Sequence, residues 1–366
     1  MNTQIAMPPP TTQRLVFFDN LRVTLTVMVI AHHVAQAYGP TDGWWPVQEP
    51  QRATVLDPFF MVNRSFGMSL FFLIAGYFTA QACAKKDLRT FVKSRLQHLG
   101  IPLLGFTLLM IFLQVFVFGY LSTGKLGAPW PVDVVHLWFV QHLLLYSLGY
   151  ALWCKFRSGA AQADVPSMNA PGYGIVLTFA VGLTLATTLA RIWYDTDEWV
   201  YLLGYIRIAF ADVPRDLAMF LVGALAQQHQ WVTRFPTRAG RAWLTAGIAL
   251  AGFGYVYKLW LVDVVVLSDA MWGFLYPLWE SLLCCSLCIG LIVLFRDKAN
   301  TQGPITREMT SSSYSAYILH VFIAIFFQYI ALGLTASPML KFLLVTLITV
   351  PVTFLLASLV RRPLRL

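Results

Sequence analysis

The chain has 366 residues, 58% hydrophobic and only 12% charged, with a formal net charge of +9. Soluble domains carry roughly a quarter charged residues, so a string of soluble domains is excluded, and basic residues clustered between apolar runs argue against a nucleic-acid surface. A helix crossing the hydrocarbon core needs only about 20 apolar residues, so this length holds about ten spans with short loops.

The chain opens on a polar, proline-rich stretch, Met1 to Thr12, and residues 1–16 are expected to form a cytoplasmic tail. The first apolar run, 17–38, contains Asp19, Asn20, Arg22, His32 and His33. That is too polar for the apolar core of a cleaved signal peptide, so the run is expected to stay in the bilayer as the first span. Further runs follow at 59–81, 101–120, 136–154, 173–193, 212–228, 242–261, 271–294, 313–333 and 339–360. Lipid offers no partner to an open sheet edge, and these runs lack the alternation of barrel strands. The expected fold is therefore an all-α membrane protein, one bundle of about ten transmembrane helices over 17–360. A basic cytoplasmic C-terminus, 361–366, carries Arg361, Arg362 and Arg365.

The sixth run is the weakest, because Arg207, Asp212, Arg215 and Asp216 crowd its start. The stretch from Trp199 to its beginning is expected to be an outer loop or interfacial segment. Placing both termini in the cytoplasm collects most lysines and arginines on that side, among them Arg14, Lys85, Lys86, Arg89, Lys93, Arg95, Lys155, Arg157, Arg234 and Arg296. Tryptophans agree: Trp44, Trp45, Trp130, Trp193, Trp199, Trp260 and Trp272 fall near outer span ends, and Trp153, Trp231 and Trp243 near inner ones. The chain is thus expected to be multi-pass in the inner cell membrane, with the bilayer as a partner and no nucleic acid.

Within the first run, Arg22 and His33 are 11 positions apart, which is three helical turns with about 20° of drift and some 16 Å of rise. Asp19 and Thr26 lie on the same stripe, whereas His32 points about 80° away. Polar groups in a span usually face a cavity or a partner. Two readings stay open: a stripe lining a cavity, or a snorkelling arginine with two interfacial histidines.

Glu280 lies about 14 Å into the eighth run and is either functional or a partner for Arg207, Arg215 or a histidine. The basic loop from Lys85 to His98 could hold phosphates through Lys93, Arg95 and His98, or simply orient the chain. The outer loop from Gly39 to Pro58 mixes Trp44 and Trp45 with Gln48, Glu49, Arg52 and Asp57, which suits a polar ligand or an interfacial anchor. His136, Trp138, His142 and His320 are further candidates, although lone span histidines are more often structural. Cys284, Cys285 and Cys288 have no second ligand pair nearby, so no metal site is expected.

FFDNLRVTLTVMVIAHH resembles the first span of the acyltransferase-3 family of membrane-bound O-acyltransferases, marked by an arginine, ten residues and a histidine, here Arg22 and His33. SLFFLIAGYF, HLWFVQHLLLY, MFLVGALAQQHQW and SYSAYILH resemble its second, fourth, sixth and ninth spans. The pattern is most similar to the branch that modifies glucans. The resemblance implies acyl-CoA as cytoplasmic donor and co-substrate, with no bound cofactor. It implies an extracytoplasmic carbohydrate hydroxyl as acceptor, and His33 as the catalytic residue with Arg22 beside it and Asp19 one turn below. Where the family tends to show Arg-x-x-Arg, this chain has Arg95 and then His98. An acyl transfer needs a base near neutrality and donors for an oxyanion, for which Arg22, Arg64 or a span-ending amide could serve. The competing class is a multi-pass transporter or flippase for a glycan-like solute, although no pair of Gly/Pro-broken helices stands in two matching halves. A haem electron carrier using His33, His136, His142 or His320 is a third.

Overall fold

The structure, a computed structural model, describes residues 15–41, 45–113, 134–157, 168–196 and 198–364. Residues 1–14 with Arg14, Trp44, Trp130, Arg365, the stretch 114–120 of the third run and the side chain of Arg362 lie outside the described residues. Each of the ten apolar runs forms a helix: α1 (Val16–Ala35), α2 (Leu56–Lys85), α3 (Leu88–Phe112), α4 (Val135–Phe156), α5 (Tyr173–Ala190), α6 (Val213–Gln228), α7 (Thr237–Leu261), α8 (Asp269–Lys298), α9 (Pro304–Ala331) and α10 (Pro338–Leu364). Among the described residues, eight of these are long and apolar enough to cross a membrane, so the chain is a multi-pass, all-α membrane protein. The other two are α1, rich in polar residues, and α6, only 16 residues long.

The polarity of α1 is explained by its position. It packs against α2, α8, α9 and α10, so its polar groups meet protein on several sides. Phe17, Phe18, Leu21 and Leu25 join Leu70 of α2 and Leu283 of α8 in one buried cluster.

Helices α2 and α6 approach most closely at two glycines. A Cβ at Gly76 would lie 1.9 Å from the Phe220 carbonyl oxygen, and one at Gly223 would lie 1.9 Å from that of Leu73. In lipid no hydrophobic force drives helices together, and small residues that let backbones touch supply packing instead.

Prolines interrupt the regular hydrogen bonding of α3 and α8. In α3 a π turn, Leu96–Gly100, precedes Pro102, which has no N–H to give to the turn behind it. In α8, Pro277 leaves the Gly273 carbonyl without its helical donor, and Thr188 Oγ1 of α5 donates to that oxygen at 3.4 Å.

The stretch from Lys85 to His98, expected as a loop, is a turn followed by helix. Lys86 is extended, and Asp87 caps α3 by accepting from the Thr90 N–H at 3.1 Å. Hydrogen bonds from Thr90 hold the Asp87 carboxyl below its ordinary range. The segment before α6, expected as an outer loop or interfacial segment, is partly regular. It contains an antiparallel hairpin, Val200–Leu202 with Ile206–Ile208, turned by Leu203 and Gly204 at φ 53° and 78°. Both turn residues have the positive φ of a type I′ turn. Helix α4 holds this hairpin: Gln141 accepts from the Arg207 N–H at 3.0 Å, and His142 Nε2 lies 3.0 Å from the Arg207 carbonyl.

Candidate active site

Helix α1 ends at Ala35, and its last carbonyls need donors. The Tyr38 and Gly39 N–H groups both donate to the Ala35 oxygen at 2.9 Å, and the residues that follow tie down the loop itself. Glu49 N–H and Arg52 Nη1 donate to the Ala37 oxygen at 3.0 and 3.1 Å, and Ala53 N–H donates to the Tyr38 oxygen at 2.8 Å. Lys341 at the start of α10 pairs with Glu49 at 2.9 Å, and both are buried. The loop is thereby folded back over the end of α1, and Trp45 is buried with its ring 5.6 Å from that of His33.

Three histidines from three helices meet beneath this cap. His33 of α1, His136 of α4 and His320 of α9 have ring centroids 4.8 Å (33–320), 5.0 Å (136–320) and 6.4 Å (33–136) apart. Their hydrogen bonds fix their tautomers. His320 Nδ1 lies 2.6 Å from the Tyr317 carbonyl and carries its hydrogen there, which leaves Nε2 as an acceptor. His33 Nδ1 lies 2.9 Å from the Val29 carbonyl and 3.2 Å from His320 Nε2, so its N–H is shared between two acceptors. The lone pair of His33 therefore sits on Nε2. His136 gives its Nε2 hydrogen to the Ile318 carbonyl at 3.0 Å, while Tyr317 Oη donates to the His136 carbonyl. His33 is half-buried, whereas His136 and His320 are buried. Val135, a β-branched residue at φ 47°, precedes His136 and sets the chain's entry into α4 in a strained, left-handed conformation.

His32 has a different environment: its ring lies 5.1 Å from Phe60, and its Nε2 lies 3.2 Å from the Gln36 side-chain amide. A half-buried neutral imidazole with a free Nε2 and an oriented Nδ1–H can accept a proton from a hydroxyl. Of the two adjacent histidines, His33 has that geometry.

A second polar cluster lies among α2, α5, α6 and α8. Glu280, 1% exposed, contacts Arg191 at 2.6 Å and Arg215 at 3.4 Å. Arg215 also reaches Asp212 at 3.1 Å and Ser69 at 3.1 Å, and Ser69 donates to Asp216 at 2.8 Å. Arg64 and Arg191 contact Asp212 at 3.5 and 3.6 Å. Three guanidinium groups thus face three carboxylates. Arg207, considered as a partner of Glu280, instead lies over the Trp199 ring at 4.0 Å.

The remaining sequence candidates lie elsewhere. Asp19 and Arg22 pair at 3.7 Å near the opposite end of α1 from His33, with the Arg22 side chain 39% exposed. Thr26, on the same stripe, donates to the Arg22 carbonyl of its own helix at 2.8 Å. The stripe is real, but about 16 Å of helix separates Arg22 from His33, so the expected side-by-side placement is not found. Lys93 and His98 are exposed on α3, whereas Arg95 turns inward and donates to Thr79 Oγ1 at 3.1 Å. The three do not converge on one point. Trp138 packs on Trp199 and His142, at 5.5 and 5.3 Å, away from the three-histidine contact.

Sequence reasoning missed Gln328 and Arg191. Each is a single polar residue near a span end, a position that gives no signal of what it touches. Asp212 and Asp216 were visible as awkward charges without an assigned partner.

The family model described as "Acyltransferase domain" matches residues 15–358. Curated relatives include "Glucans biosynthesis protein C" of Salmonella schwarzengrund and its counterparts in Salmonella paratyphi A and Salmonella dublin. Each is 23% identical over 296 residues, covering 71% of this chain and 75% of the relative. No solved structure matches the chain significantly.

Proposed function

The chain belongs to the acyltransferase domain family, and from that membership and the three-histidine contact we propose that it transfers an acyl group from acyl-CoA to a hydroxyl. The acceptor is an extracytoplasmic carbohydrate, a glucan or a related polymer, in keeping with the name its relatives carry. The product is an ester, so the activity is that of an O-acyltransferase. The protein crosses the inner membrane ten times with both termini in the cytoplasm.

His33 Nε2 takes the hydrogen of the acceptor hydroxyl as its oxygen attacks the thioester carbonyl. The carbon–sulfur bond then breaks, and the proton passes from His33 to the departing thiolate, giving ester and free CoA. The imidazolium formed in between keeps its Nδ1–H on the Val29 carbonyl and His320 Nε2. This base-to-orienter bond, 3.2 Å from His33 to His320, is the single observation that carries the assignment. Lys93, Arg95 and His98 of α3 meet the CoA phosphates at separate points, toward the end of α1 where Arg22 pairs with Asp19. The CoA arm bridges the length of α1 from there to His33.

The test compares His33→Ala with His32→Ala in membranes of a deletion strain, using labelled short-chain acyl-CoA thioesters and that strain's own envelope glycans. Loss of transfer confined to His33→Ala at normal protein levels supports the assignment. Full transfer by His33→Ala overturns it.

A further inference from the structure

Below the ring contact, one amide side chain holds the base in place. Gln328 of α9 is fully buried, and every hydrogen-bonding group of its amide is used. Its Nε2 donates to the His33 carbonyl at 3.0 Å and to the Val34 carbonyl at 2.9 Å, and its Oε1 accepts from Trp45 Nε1 at 2.8 Å. The two carbonyls belong to the last turn of α1, where no intrahelical donor remains. One side chain thus ends the helix that carries His33 and fastens the loop residue whose ring covers His33.

We propose that Gln328 is a positioning residue for the acyl transfer, fixing the height and the rotation of His33 and locking Trp45 against it. The proposal rests on His33 being the base. His320, eight residues earlier on α9, holds the ring of His33, and Gln328 holds its backbone. The same helix therefore sets both ends of one residue. A base must be placed to within a fraction of an ångström, because a shift of about 1 Å can cost about 100-fold in rate. Losing the two amide donors frees the last turn of α1 to fray or rotate, and the His33 ring goes with it.

Gln328→Met keeps the length and removes all three hydrogen bonds. The expected result is a fall in apparent kcat of about 10- to 100-fold. The KM for acyl-CoA stays within about threefold, because the donor phosphates bind toward the other end of α1. A residue that merely stabilises the fold lowers the amount of active protein and leaves turnover per folded molecule unchanged, so rates are normalised to folded protein measured by size-exclusion fluorescence. Turnover within twofold of the parent overturns the proposal. If Gln328→Met does not accumulate, Trp45→Phe decides. It removes the indole donor while keeping an aromatic ring and the α9 amide, and a kcat loss of about 3- to 10-fold supports the proposal, whereas parental turnover overturns it. His33→Ala, run alongside, separates the two assignments: activity there overturns the base itself, while a dead His33→Ala with a normal Gln328→Met overturns the positioning role alone.

Discussion

The two polar clusters of this bundle solve one problem in opposite ways. Around Glu280, three arginines and three carboxylates balance their charges and tie four helices together. Around His33, three rings give their hydrogens to backbone carbonyls, and two keep an unpartnered nitrogen, Nδ1 of the buried His136 and Nε2 of the half-buried His33. A charge inside a membrane protein is tolerated when it is paired, and pairing consumes its reactivity. A neutral imidazole costs less to bury and leaves one nitrogen for chemistry. Under the proposed function, the ionic cluster is the brace and the histidine cluster the working site.

That division is sharpened most by His33→Ala, expected to lower turnover by about 10²–10⁴-fold, the usual effect of losing a positioned base, with membrane levels unchanged on immunoblots. His32→Ala, one residue away and facing Phe60, is expected to stay within a few-fold. The converse is expected at Glu280→Leu. Removing one partner of a buried ion pair typically costs about 3–5 kcal/mol, so this variant should unfold at clearly lower temperature in detergent. The molecules that remain folded should retain most of their turnover. A stable but inactive Glu280→Leu would move the chemistry into the ionic cluster and break the comparison.

A smaller effect is expected at the α2–α6 crossing that carries Ser69 and Asp216. Gly76→Ala forces its Cβ against the Phe220 backbone, and overpacking of this kind costs about 1–3 kcal/mol. The smallest effect belongs to the exposed Lys93. Lys93→Ala is expected to raise the acyl-CoA KM by less than about threefold. Arg95→Ala, which removes an inward-facing guanidinium, should raise it by roughly 10-fold. Equal effects at the two positions would return α3 to a purely orienting role.

Most of the fold was legible in the sequence, because continuous apolar runs bounded by charges have few alternatives in lipid. The hairpin at 200–208 was not, since its turn is Leu203–Gly204, without the usual asparagine or aspartate. Nor was the early start of α3, where a basic, polar stretch is helical because Asp87 caps it. The helical arithmetic placed Arg22, Thr26 and His33 on one face but says nothing of what comes to meet that face. His33 meets His320 from 287 residues away, and no periodicity encodes such a distance. For Glu280, the sequence offered Arg207, Arg215 or a histidine. The structure supplies Arg215 and adds Arg191, which the sequence did not single out.

The Gln328 amide also bears on how the chain is made. The carbonyl of Val34 is satisfied by a side chain 294 residues later. The ribosome delivers α1 to the membrane long before α9 exists, so the helix carrying His33 enters lipid with its final turn unfinished and its ring without its His320 partner. Until synthesis has passed Gln328, that turn must borrow donors from water, from headgroups or from the insertion machinery. Nascent chains arrested before residue 304 should therefore leave the end of α1 open to cysteine labelling, and full-length chains released from the ribosome should protect it.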